Sequence, residues 1–158
     1  MHSSEFRDPV RLIHEINHLV GIHVGMAYVA LVERPARQQR LLTVITLRTP
    51  AMVDDYEEPR AEIRDVMDNL AVPGATRPPS HSVTTVVARP GLCVFGPNEG
   101  RWFDAWTLSN LMRDCYTGDL ILVTEHGWCD FMTYCAGTAP FVVRDRPTTL
   151  RDSGPATR

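Results

Sequence analysis

The residues best suited to chemistry stand near the start of the chain, in the run His14-Glu15-Ile16-Asn17-His18. On a helix, residues four apart share a face, so the two imidazoles can bind one zinc ion while Glu15 polarises a zinc-bound water. A second set lies far along the chain, in Glu125-His126-Gly127-Trp128-Cys129-Asp130. Imidazole titrates near neutral pH, so His126 beside Glu125 could serve acid–base catalysis. His126, Cys129 and Cys135, with Cys115 as a fourth ligand, could instead hold a metal, and Cys129 could be a nucleophile with His126 as its base. Each set also has a plain structural explanation. Two histidines on a helix can simply be its solvated face or contact a partner, and His126 can satisfy backbone groups in a turn whose Trp128 and Phe131 pack.

The HEINH run, with Leu12 and Ile16 before and within it and Leu19 and Val20 after it, resembles the active-site helix of the zincin metalloproteases. That resemblance implies a small zinc-dependent hydrolase in which His14 and His18 are ligands and Glu15 is the base. On a helical wheel the apolar set points away from the two histidines. The third zincin ligand has no counterpart at the family's distance. His23 falls one position short of the metzincin spacing, and Glu33 is the next candidate.

These residues must be positioned by a single small domain. The chain has 158 residues, 44% hydrophobic, enough for one domain with a core of its own. Leu12, Ile13, Ile16, Leu19 and Val20 recur at helical spacing, predicting a helix over Arg7–Val20 capped by Ser3 or Ser4 and stopped by Gly21. Two β-rich runs, Ile22–Glu33 and Arg40–Arg48, read as a hairpin around a polar loop. A helix is expected over Pro59–Leu70, a loop over Val72–Ser82, a strand over Val83–Ala88 and a short apolar run over Leu92–Phe95. Gly96–Gly100 reads as a turn, Trp102–Cys115 as a helix closed by Gly118, Asp119–Thr124 as a strand buried on both faces, and Phe131–Val143 as a hairpin. The expected architecture is α/β (or α+β): one domain over residues 1–143, a mixed sheet with helices on both faces, and a disordered tail over 144–158.

If the strands ending at Ala88 and Thr124 are parallel neighbours joined by the Trp102–Cys115 helix, then Arg89, Glu125, His126 and Glu99 line one rim, at the strand ends where α/β sheets bind their ligands. Arg89, Arg101 and Arg113, with Trp102, Trp106 and Trp128, could contact a partner there. The alternative is that the aromatics are core. Composition restricts that partner. All 16 basic residues are Arg, a mark of a GC-rich, bacterial-type genome, yet 19 acidic residues leave a net charge of −3, so nothing in the overall charge attracts a phosphate backbone. A protein partner or a homodimer is therefore expected over nucleic acid. No apolar run is long enough to span a bilayer, and four cysteines without an export signal point to the cytoplasm, with the thiols reduced. No cofactor is required by these readings, zinc being the one the HEINH helix could hold.

The order hairpin, helix, strand with a Pro-Gly turn, Gly-Pro segment, helix, strand closing in His-Gly resembles the RadC and JAB (MPN) domain over Ala27–Phe131. Where that family carries its His-x-His-Pro zinc ligands, this chain reads Val87-Ala88-Arg89-Pro90-Gly91, and Asp104 is the counterpart of the acidic ligand. The resemblance implies a domain without the family's zinc or isopeptidase chemistry, acting as a non-catalytic binding or assembly module.

Overall fold

A computed structural model describes residues 6–34, 36–109, 114–131 and 135–138. The elements are α1 (Pro9–Val20), β1 (Met26–Glu33), β2 (Arg40–Pro50), α2 (Glu57–Asn69), β3 (His81–Ala88), α3 (Pro97–Ser109), β4 (Tyr116–Thr124), β5 (Gly127–Asp130) and β6 (Ala136–Gly137). They form one mixed sheet of six strands in the order β2-β1-β3-β4-β5-β6. β3 and β4 are parallel, as the α3 crossover between them requires, and every other neighbouring pair is antiparallel.

Alternation along the strands sends side chains to two separate cores. Leu12, Ile13 and Ile16 of α1 pack on Tyr28, Ala30, Val86, Ile121 and Val123 on one face. Ile63 and Met67 of α2, with Trp102, Ala105 and Trp106 of α3, pack on Val29, Leu31, Val83, Val87 and Leu120 on the other. Helices thus cover both faces, which is why the central strands read as nearly unbroken apolar runs. Full burial of each such side chain is worth about 1.5–3 kcal/mol, which is the main force holding the helices on the sheet.

Several boundaries differ from the sequence expectation. α1 is capped by Asp8, whose side chain accepts the Arg11 N–H at 3.0 Å, and Pro9 occupies its first turn. Gln39 clamps that cap, accepting from the Asp8 N–H and donating to its carbonyl. β1 begins at Met26 because residues 23–25 turn, with Gly25 at φ +91. The helix expected over Trp102–Cys115 instead starts at Pro97, within the segment read as a turn. Proline suits a first helical turn, and the Glu99 side chain reaches back to accept the Gly96 N–H at 3.0 Å, the exchange that opens a helix. Cys115 lies off that helix, and Gly118 falls within β4 instead of closing it. The polar run after Thr124 is a tight turn at Glu125 and His126 followed at once by β5, so Trp128 and Cys129 are strand residues. Gly127 allows this: a Cβ there would lie 2.1 Å from the Gly137 carbonyl oxygen. Most of the hairpin expected over Phe131–Val143, and the tail from 144, lie outside the described residues. Among the described residues no helix is long and apolar enough to cross a membrane.

Candidate functional site

Because β1 is antiparallel to both β2 and β3, the carboxyl ends of β2, β3 and β4 meet at one edge of the domain. Backbone bonds tie them there: the Gly25 N–H donates to Ala88, the Ala51 N–H to Gly25 and the Arg89 N–H to Val123. Three loops emerge from this rim: residues 51–56, residues 89–96 and the Glu125–His126 turn.

Arg89 organises the second loop. Its Nε donates to Glu99 Oε2 at 2.9 Å and its Nη2 to Glu99 Oε1 at 2.5 Å, a two-pronged pair whose side chains are 12% and 1% exposed. The remaining donors go to the carbonyls of Pro90, Leu92 and Val94 at 3.2, 3.2 and 2.8 Å. All five guanidinium N–H groups are thereby used within the chain. The hydrogen bonds it donates to Glu99 raise the Arg89 pKa above its ordinary value despite the cost of burial. Burial would push the Glu99 carboxyl up, but hydrogen bonds from Arg89, Asn98 and the Gly96 N–H outweigh it and hold the group below the usual carboxylate range.

The neighbouring residue, Asn98, performs the same service for the first loop. Its side chain accepts from the Val53 N–H and donates to the Ala51 carbonyl, both at 2.9 Å, and also donates to Glu99. Trp102 Nε1 donates to the same Ala51 carbonyl, and Arg101 to that of Val53. Two consecutive residues at the start of α3 therefore fix two loops. The turn at Gly91, φ +104, presents its N–H to both carboxylate oxygens of Glu125 at 3.0 Å, a bond that lowers the Glu125 pKa and joins the third loop to the second.

Fixing the backbone from beneath leaves three large apolar side chains of these loops exposed. Leu92 is 74% exposed, Val94 64% and Met52 54%. The first of these lie in the apolar run between two Pro/Gly turns, which is the signal available in sequence. That signal could not be read as exposed without knowing where the carbonyls of Pro90, Leu92 and Val94 go. The same loops carry the exposed carboxylates of Asp54, Asp55 and Glu125, with His126 beside the last of them.

The residues singled out in sequence fare differently. Arg89, Glu99, Glu125 and His126 do share this rim. His126 Nε2 lies 3.6 Å from Glu125, but both side chains are exposed in open turn, where water competes for every proton that catalysis would need to direct. Trp102, Trp106 and Trp128 are buried and serve the two cores, so none offers a contact surface. Arg101 is occupied with Val53, and Arg113 lies outside the described residues. Cys115 is buried in the α2/α3 core, apart from Cys129. Burial pushes the Cys129 thiol up to about 12, the wrong direction for a thiolate that would attack a substrate with His126 as its base.

On α1, His14 and His18 do lie on the exposed face. They border an open cleft of about 730 Å³ with Arg11, Glu15, Leu19, Gln39, Arg40 and Leu41. Glu15 is held by Arg11 at 2.9 Å. A catalytic zinc needs three protein ligands. Among the described residues no group of three or more His, Cys, Asp or Glu side chains is gathered to hold a metal, and neither His23 nor Glu33 borders the cleft.

Comparison with protein-family models, curated proteins and solved structures finds no match for this chain.

Proposed function

We propose that this domain is a non-catalytic module of the cytoplasm that docks a protein partner on the rim formed by the loops after β2 and β3. The observation that carries this reading is the use of Arg89. A guanidinium at a strand end is well suited to bind a ligand carboxylate or phosphate, yet every donor of this one is spent holding a loop in the shape that exposes Leu92 and Val94. Apolar side chains on a rigid backbone form a favourable docking surface, because little conformational entropy is lost on binding.

The charge around these side chains selects the partner. The exposed carboxylates of Asp54, Asp55 and Glu125 in these loops repel a phosphate backbone, which argues against nucleic acid. They also disfavour a symmetric dimer through this face, since a two-fold axis would bring the same patch of both subunits together. A protein presenting an apolar surface flanked by Lys or Arg is the complementary partner. Thiols without disulfide partners are in keeping with the reducing cytoplasm.

The RadC/JAB likeness supports the same conclusion. Arg89 stands where that family carries a zinc-ligating histidine. A guanidinium has no lone pair to offer a metal, so the residues present do not fit the family's zinc.

A photo-crosslinking residue at position 92 tests the proposal. It should yield a discrete adduct with a basic polypeptide that, once identified and purified, binds the wild-type chain but not a Leu92→Asp/Val94→Asp variant. Equal binding by that variant, or adducts only from a crosslinker on α1, would overturn the assignment.

A further inference from the structure

Between the outward Leu92 and Val94, Cys93 turns inward. Its Sγ lies 3.6 Å from Sγ of Cys129, a residue 36 positions away on β5, and the Cys129 thiol also faces the Cys93 carbonyl at 3.9 Å. Both are free thiols. The arrangement is not a consequence of chain proximity. It depends on Arg89 folding residues 90–96 back over the end of the sheet, and the guanidinium sits close enough to interact electrostatically with both sulfurs. Two sulfurs with no third ligand gathered among the described residues do not make a tetrahedral metal site, which leaves covalent joining as the chemistry open to them.

We infer that Cys93 and Cys129 form a redox-active pair, a modification site for a hydroperoxide, whose oxidation joins the 90–96 loop to β5 by a disulfide. The sulfurs, 3.6 Å apart, need to approach to about 2.05 Å for the bond to form. The two thiols divide the work by exposure. Cys93, half-buried on the loop, meets the oxidant, and its thiolate attacks the peroxide to give a sulfenic acid and water. Cys129, kept as a thiol by burial but already at contact distance, then attacks the Cys93 sulfur while its proton passes to the departing hydroxyl, so that the S–S bond forms and a second water leaves. The sum is two thiols and one hydrogen peroxide to one disulfide and two waters. A dithiol reductant reverses it.

The test treats reduced full-length protein with hydrogen peroxide and follows intact mass, alkylatable thiols and a non-reducing peptide map. The expected product is monomeric, lighter by two hydrogen atoms, retains two of its four thiols, and carries a Cys93–Cys129 cross-link that dithiothreitol removes. A Cys115→Ser/Cys135→Ser variant should behave identically. A Cys129→Ala variant should stop at a Cys93 sulfenic acid that a dimedone probe traps. A cross-link through Cys135 or Cys115, oxygen gain without any cross-link, or undiminished thiol loss in a Cys93→Ser variant would overturn the inference.

Discussion

Replacing Glu99 by Gln removes one charge from the centre of the rim while preserving the side chain's shape. In the native protein Glu99 is the counter-charge of Arg89 and also accepts from Asn98 and the Gly96 N–H. The variant leaves Arg89, 12% exposed, with its three carbonyl partners but no anion. Breaking one side of a buried pair costs about 3–5 kcal/mol. The retained carbonyl bonds and the slight access of water to Arg89 place this case at the low end, about 3 kcal/mol. In a domain of this size each kcal/mol moves the melting temperature by about 2–4 °C, so a fall of roughly 6–12 °C is expected. The effect should depend on pH in a definite direction. The Glu99 carboxyl is held below its ordinary value near 4.5, so its stabilisation is complete above that pH and is lost as pH falls through the depressed folded-state value. Urea melts followed by tryptophan fluorescence at pH 7 and at pH values below 4.5 read both quantities. A variant within about 0.5 kcal/mol of wild type at pH 7, the range of an ordinary surface substitution, would refute the role given to the pair. So would a difference that does not shrink in acid.

Other outcomes follow from the same geometry. Leu92→Asp/Val94→Asp alters only exposed side chains, so its urea midpoint should match wild type within about 0.5 kcal/mol even as partner binding is lost. Asn98→Ala removes both bonds to the 51–53 loop and should cost about 2–3 kcal/mol by chemical denaturation, with faster amide exchange at Val53. Gly127→Ala places a Cβ against the Gly137 carbonyl at φ +141, and a loss of at least about 2 kcal/mol should appear in thermal melts. Protein purified without added metal should hold well under one zinc per chain by elemental analysis, unchanged by His14→Ala. One zinc per chain lost with that substitution would restore the hydrolase reading of the HEINH helix.

Local pattern and local chemistry explain what was legible in the sequence. The α1 stripe of Leu12, Ile13 and Ile16 obeys the helical period because one face must be buried, and the apolar run ending in Thr124 follows from coverage on both faces. The hairpin, the parallel pairing of the strands ending at Ala88 and Thr124, and the shared rim of Arg89, Glu99, Glu125 and His126 could all be anticipated from element order and the need for a crossover helix. The start of α3 is not legible in the sequence because Gly96-Pro97-Asn98 carries turn residues, and proline and glycine mark a helix entry as readily as a loop.

Partners distant in sequence decided the rest. An arginine at a strand end reads alike whether it awaits a ligand or braces a loop. Only folding showed that the carbonyls of Pro90, Leu92 and Val94 converge on it and exhaust its donors. The contacts between Asn98 and Ala51, 47 positions apart, and between Cys93 and Cys129, 36 apart, have no local signature, because they arise where β2, β3 and β4 end together. Sequence alone determined that helices cover both faces of the sheet, whereas folding decided that Trp102, Trp106 and Trp128 are among the residues that fill the cores. The tertiary structure decided which groups remain at the rim once the internal hydrogen bonds are made. Those are Leu92, Val94 and Met52 amid carboxylates, in place of the arginines and tryptophans that the sequence brings forward.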